Sequence, residues 1–440
     1  MRQNSLINSL INSLTGGFRR KPLKHGAMPI RRAIRLAVCA LMLAPVCAQA
    51  HRGAPERVER VVLIYRHGVR APLDDENGLA AIEPAPMPVW STPESQLTPH
   101  GAQALTLLAR YQRQGWLHAG LLPKGRCPDR RDLIIWTNTV SRTIASGQAL
   151  AEGLAPGCDL AVGHLPTGQH DPIFEQMEAG ADDFDARQAT ADVIAYTGGL
   201  DALTRRHRAS LTAMAHIIGR DLPPGPGAIT PDADGRGFSA SGPVIDASGT
   251  AQIFLLQYME GMAPGQIGWG RADAAAIAAV SPLHAALFDV YDRSPCLAPR
   301  TAAVLARRML SALLDPDQPR LTLLVGHDNN IAALAALLDT RFRVPGLAWN
   351  DPPPGGALGL ALIRRADGRR VVRAIYVAAT PDQVRALRVL DARHRPAEAS
   401  LIIGLCGKAA HTCPVDVVRH RLLARLSPPD KPAPHKDSAP

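Results

Sequence analysis

Apolar positions along this chain recur with two different periods. Residues 58–65 form a short, nearly continuous apolar run of Val58, Val61, Val62, Leu63, Ile64 and Tyr65, which predicts a buried strand of a parallel sheet. A polar, proline-rich stretch over 73–93 then predicts a long loop. Thr98 followed by Pro99 reads as a helix cap and first turn, with Ala102, Leu105, Leu108, Ala109 and Tyr111 giving the helix an apolar face. Residues 133–136 predict a second strand, followed by a helix ending near 154, and 160–164 predict a third strand. From about 171 to 281 helical periods dominate, broken by a Gly/Pro-rich stretch at 222–243. The strand-helix alternation returns with a helix over 298–314, a strand over 321–325 and a helix over 329–338. Strands at 358–363 and 371–377 are expected to pair, 401–405 is read as another, and 427–440 as a disordered polar tail. This is an α/β pattern: a core over 51–165 and 282–426, interrupted by a mainly helical cap over 166–281.

The first strand ends in Arg66-His67-Gly68-Val69-Arg70-Ala71-Pro72. Ligands of open α/β sheets sit beyond the carboxyl ends of the strands. Two guanidinium forks and an imidazole on one tight turn suit an oxyanion with several equivalent oxygens, namely a phosphoryl group. The strand at 321–325 ends in the same manner, in Gly326-His327-Asp328. Arg142 falls where the strand at 133–136 leads into a helix, a place where backbone amides already favour an anion. The plainer readings are a basic surface turn, an Asp capping a helix behind a packed His, and a solvated Arg. The repeated strand-end placement weighs against them for the first two motifs and leaves Arg142 as a candidate third guanidinium.

The formal charge of +10 suggests nucleic acid until its location is examined. Eight of the 49 Lys/Arg lie in residues 1–50, which hold no acid, so 41 remain against 39 Asp/Glu. A nearly neutral body with 4% aromatic residues offers no nucleic-acid footprint. Residues 1–50 read as an export signal, with Arg31, Arg32 and Arg35, a short apolar run over 36–46, and Ala48-Gln49-Ala50 as the cleavage site. The true start is then Met28 or Met1, the mature chain begins near His51, and the product is expected in the periplasm or secreted. No later run reads as apolar enough for a membrane span. An oxidising compartment favours disulfides, and the expected pairs are Cys127–Cys158 and Cys406–Cys413, with Cys296 left as a buried thiol. No zinc-type spacing occurs, and no metal or other cofactor is expected.

These residues resemble the histidine acid phosphatases. Arg66 to Pro72 is similar to that family's signature and His327-Asp328 to its distal motif. Within the family, Ser141-Arg142-Thr143, Ser241-Gly242-Pro243, Gln257-Tyr258-Met259-Glu260-Gly261, Trp269-Gly270 and Pro353-Pro354-Gly355-Gly356 resemble the bacterial periplasmic phytases and glucose-1-phosphatases. The resemblance runs from about 58 to 423. It implies a phosphoglycerate-mutase-like α/β core with a helical cap and a cleft between them. It also implies His67 as a nucleophile that becomes a phosphohistidine, Arg66, Arg70, Arg142 and His327 as phosphate ligands, and Asp328 as the acid that protonates the leaving alcohol. The arginines would supply the charge that Mg²⁺ supplies in other phosphoryl-transfer enzymes. Leu73 and Asp74 stand where phytases of this branch carry Thr-Lys, and the acid should repel a substrate with many phosphates. Gly68 matches the phytase side, whereas Ala357 replaces the Glu usual after the paired glycines. Inositol phosphates and sugar phosphates such as glucose 1-phosphate are both expected small-molecule partners, with a monomer favoured. The competing readings are a phosphoglycerate-mutase-like enzyme and a phosphate-ligand binding protein that has lost turnover.

Overall fold

The computed structural model describes residues 56–426 apart from 83–85, 181–183, 234 and 236. The export signal at 1–50, its cleavage point and the tail at 427–440 lie outside the described residues.

The core is a mixed sheet. Its parallel part comprises β1 (Arg57–Arg66), β2 (Leu133–Thr137), β3 (Val162–Gly163) and β6 (Leu321–Gly326). The antiparallel part comprises β7 (Ala357–Arg364), β8 (Arg370–Ala378), β9 (Ala397–Leu401) and β10 (Cys413–Pro414). The order across the sheet is β10-β8-β7-β1-β6-β2-β3, with β9 also on β8. Strand β1 is therefore parallel to β6 on one side and antiparallel to β7 on the other, so the expectation of a purely parallel setting holds for one edge only. From Val61 to Arg66 every residue of β1 is buried, which is why the run reads as continuously apolar.

Two other expected strands differ from the structure. Only Val162–Gly163 of 160–164 pairs. The strand expected at 401–405 ends at Leu401, because Gly404–Cys406 turns as a 3-10 helix whose Gly404 N–H donates to the Asp339 carbonyl. The loop at 73–93 holds two short 3-10 turns, Asp74–Glu76 and Gly78–Ile82.

Helix α1 (Pro99–Ala119) begins as the sequence predicts: Thr98 accepts from the Gly101 N–H and Pro99 takes the first position. Its start packs hard on the turn after β1. A Cβ at Gly101 would sit 2.3 Å from the Val69 carbonyl oxygen, so that glycine is required by close approach, while one at Gly68 would press on the side-chain ends of Leu105 and Leu97 at 2.8 and 2.9 Å. Helix α2 (Ser141–Leu154) follows β2. Helices α3 (Ala186–Thr197), α4 (Leu200–Arg206), α5 (Arg208–Ile218) and α6 (Pro243–Met259) follow, with the Gly/Pro-rich stretch folded as a hairpin of β4 (Ala228–Pro231) and β5 (Phe238–Ser241).

Helix α7 (Ala274–Tyr291) has a mean hydropathy of 1.4 over 18 residues, enough by length and composition to cross a membrane, contrary to the sequence reading. Its Ile277, Val280, Leu283, Ala286 and Val290 are instead buried in the same apolar core as α5 and α6. Helix α8 (Leu297–Leu314) leads to β6 and helix α9 (Asp328–Leu338), and α10 (Pro381–Arg385) and α11 (Val415–Arg425) complete the chain.

Disulfides join Cys127 to Cys158 and Cys406 to Cys413, across sequence separations of 31 and 7, while Cys296 is buried and outside any disulfide. Loop-closure entropy makes the larger loop the stronger constraint on the unfolded chain. Replacing Cys127 and Cys158 by Ser should cost about 4 kcal/mol, and replacing Cys406 and Cys413 about 2 kcal/mol. Urea unfolding of the two double variants at 25 °C measures the order.

Candidate active site

Strand register assembles the site. Arg66 lies opposite Gly326 on neighbouring parallel strands, and Thr137 lies opposite Val325 on the other side of β6. The three carboxyl ends therefore lie side by side, and the residues after each one meet in the crevice beyond them. The His67 N–H donates to the Gly326 carbonyl at 3.0 Å and the Asn138 N–H to the Val325 carbonyl at 2.9 Å, so the turns stay stitched beyond the strands. From behind, the segment 350–356 supports the turn: Arg66 N–H donates to Gly356 O and Gly355 N–H to His67 O, both at 2.9 Å.

A cavity of about 620 Å³ opens on these strand ends, lined by His67, Arg70, Arg142, His327 and Asp328 among others. Arg66 is fully buried beneath it and reaches Asp328, with Nη2 2.7 Å from Oδ2. The structure thus brings together all six residues that the sequence singled out. The Nε–H groups of Arg66, Arg70 and Arg142 are buried and have no hydrogen-bond partner. The three guanidiniums act together on the buried His67 imidazole, a concentration of positive charge that suits an anion. The other ends of Arg66 and Arg70 are held. Arg66 Nη1 donates to Pro352 O at 2.7 Å, and Arg70 makes a fork to Glu76 at 2.7 and 2.5 Å.

Both histidine tautomers follow from their partners. His67 Nδ1 lies 2.9 Å from the Gly68 carbonyl, which can only accept, so Nδ1 carries the proton and Nε2 keeps its lone pair. Asn138 Nδ2 donates to His327 Nε2 at 2.8 Å; Asn138 Oδ1 is fixed as the acceptor of the Thr139 N–H. His327 therefore offers an Nδ1–H donor. The two rings stand 5.6 Å apart at 70°. Burial, then Arg142, Arg70 and Arg66, hold His67 well below the usual histidine range. Burial and Arg142 push His327 down to about 3, so both rings are neutral in mild acid. Burial and then Arg70 lower Arg142 to about 10, which still leaves it charged. For Asp328, burial works upward, but Arg66 and His284 hold the carboxyl well below its ordinary value.

A model of the histidine phosphatase superfamily (branch 2) matches residues 57–216. A Hafnia alvei phytase solved in complex with tartrate is 30% identical, with a TM-score of 0.79 over 85% of this chain and 98% of that one. The chain belongs to the histidine phosphatase superfamily, branch 2. As a histidine acid phosphatase it is a phosphoric monoester hydrolase. A phytase of Escherichia coli (strain K12) is 28% identical over 397 residues, covering 83% of this chain and 90% of its own length. A glucose-1-phosphatase of Salmonella typhimurium is 27% identical over 413 residues, covering 87% and 96%.

Four participants in this phosphatase site escaped the sequence reading. Glu76 neutralises Arg70 from the loop expected over 73–93. Asn138 fixes His327, and its place directly after β2 is a signal that strand-end logic could have used. His284 and Asp351 pair behind Asp328, and nothing in their local sequence distinguishes them from ordinary packing. One placement needs correction. Asp74, set against the substrate in the sequence reading, is exposed, with its N–H donating to Glu94 at 2.9 Å, whereas Leu73, Asp75 and Glu76 line the cavity.

Because His327 stays neutral when folded, the unfolded chain binds one more proton there below about pH 6.5, and stability falls as pH drops from 6.5 toward 3. His327→Gln should remove up to about 1.4 kcal/mol per pH unit from that loss. Urea titrations of both proteins at pH 6 and pH 4 measure the difference.

Proposed function

We propose that this enzyme hydrolyses phosphomonoesters bearing a single phosphate, by way of a phosphohistidine on His67. The observation that carries this reading is the bare Nε2 of His67 among the guanidiniums of Arg66, Arg70 and Arg142. The His67 Nε2 lone pair attacks phosphorus, the N–P bond forms, and the P–O bond to the alcohol breaks. Arg66, Arg70, Arg142 and His327 Nδ1–H hold the three non-bridging oxygens as charge spreads over them. Asp328 gives its proton to the departing oxygen, having taken it from solvent in mild acid once the phosphate engages Arg66. Water then attacks phosphorus, Asp328 accepts its proton, and breakage of the N–P bond restores His67 and releases phosphate.

The cavity walls favour one phosphate over many. Asp75, Glu175 and Glu178 line them, and Arg70 and Arg142 are the Lys/Arg among the described lining residues. With both committed to the reacting phosphate, further phosphates of an inositol ester would face carboxylates. A hydroxyl-rich leaving group such as the sugar of glucose 1-phosphate would find acceptors instead. The lining draws Phe174 to Glu178, Gly249 and Gln252 from the helical segment 166–281 and the rest largely from the α/β core. This supports a cleft between those two parts. Two disulfides support a working site outside the cytoplasm, as the export signal implies.

His67→Ala should abolish phosphate release from every phosphomonoester, and residual turnover above a hundredth of wild type would remove His67 from the nucleophile's role. Asp328→Ala should slow alkyl phosphates far more than p-nitrophenyl phosphate, whose leaving group needs little protonation. In a phosphate-release panel at acidic pH, kcat/KM for glucose 1-phosphate should exceed that for phytate by roughly tenfold or more, a penalty of ~1.4 kcal/mol against the added phosphates. A preference for phytate would refute the single-phosphate assignment.

A further inference from the structure

Helix α7 is apolar along most of its length, yet it buries a histidine. His284 is 5% exposed, and its Nδ1 donates to Asp351 Oδ1 at 2.7 Å. Asp351 is 1% exposed and also accepts from the Ser281 hydroxyl, one turn earlier on the same helix. That hydroxyl in turn accepts the Ala348 N–H at 2.9 Å. The Phe288 ring meets the imidazole edge to face at 4.9 Å. The ring is therefore fixed, and its other nitrogen, Nε2, faces Asp328 Oδ2 at 3.6 Å. The same oxygen contacts Arg66 Nη2, and Arg66 is anchored by Pro352, the residue after Asp351. One short segment thus sets both cationic neighbours of Asp328.

We propose that His284, clamped by Asp351 and Ser281, is a positioning residue that aims the Asp328 carboxylate at the leaving oxygen and governs its charge. The inference rests on the reading of Asp328 as the proton donor. Three charged groups face His284: Asp351, Asp328 and Arg66. Burial opposes its charge, but Asp351 and Asp328 prevail and raise it to about 9, so it is an imidazolium at acidic pH. Asp328 is faced by Arg66, His67 and Arg70 from the end of β1 and the turn after it, by its neighbour His327, by His284 from α7, by Arg142 from α2 and by Asp292 from just beyond α7. A bound phosphate offsets the arginines, whereas His284 stays behind the carboxylate in every state. The proton affinity of Asp328 in the substrate complex is therefore set largely by His284.

The test is the pH dependence of kcat, which reports groups in the substrate complex. With an alkyl phosphomonoester such as glycerol 2-phosphate, the alkaline limb marks deprotonation of Asp328. In His284→Gln, which keeps a donor and loses the charge, that limb should move up by about one unit or more. kcat for the alkyl ester should also fall several-fold more than kcat for p-nitrophenyl phosphate. Asp351→Asn gives a test by sign. Removing an acid acts directly to lower the proton affinity of Asp328, but through a discharged His284 it raises it, so an upward shift is expected here too. A limb that stays in place or moves down in His284→Gln, with the fold verified by circular dichroism, overturns the proposal; so do equal losses on the two esters. If Asp351→Asn does not fold, His284→Gln alone decides. Asp328→Ala separates the two levels. Equal losses on both esters there would reject the acid role itself, whereas a selective loss there with an unmoved limb in His284→Gln would reject only the positioning role.

Discussion

The constraint on which the site depends is the confinement of like charge. Arg66, Arg70 and Arg142 crowd around a buried imidazole, with Arg66 and Arg70 almost wholly buried. Repelling cations in low dielectric persist only where fixed partners offset them. Glu76 takes Arg70 in a fork, the Pro352 carbonyl takes one end of Arg66, and Asp328 takes the other. Each partner leaves at least one donor unspent, so the positive field is retained for an incoming anion. Burial, and then the same field, keep His67 and His327 neutral, which is the form a nitrogen nucleophile needs in acid.

Asp328 illustrates the tension inside this arrangement. In the proposed role of general acid it must hold a proton, yet the free site presses the carboxylate to stay ionised. Substrate resolves the conflict, since its phosphate brings the negative charge that the arginines lack, and the carboxylate then becomes the easier group to protonate.

The fold holds these groups by means remote from the cavity. Parallel register between β1, β6 and β2 places three strand ends within one crevice. Helix α1 presses on the turn through Gly101, and the segment 350–356 braces it through backbone hydrogen bonds to Arg66 and His67. Helix α7 gives up an apolar position to carry His284, which the sheet side of the molecule completes with Asp351.

Much of this was legible in the sequence, for a physical reason. Buried strands and helix caps write themselves in short-range patterns, so β1, β2, β6, Thr98 and the residues just past two strand ends could be read directly, including His67 and Asp328, with Arg142 a candidate beside them. The disulfide pairs followed from spacing as well. What could not be read were relations whose cause lies across the sheet. The antiparallel neighbour of β1, the exchange of Asp74 for Asp75 at the cavity, and the Glu76, Asn138 and His284–Asp351 partners arise from pairing between distant segments. A lone histidine in an apolar helix and an aspartate before three prolines carry no local mark of their meeting. The sequence determined which groups could perform the chemistry; tertiary packing decided most of their tautomers and charges, because Asn138, Arg142, His284 and Asp351 meet their partners across tens to hundreds of residues, whereas the Gly68 carbonyl that fixes His67 is its chain neighbour.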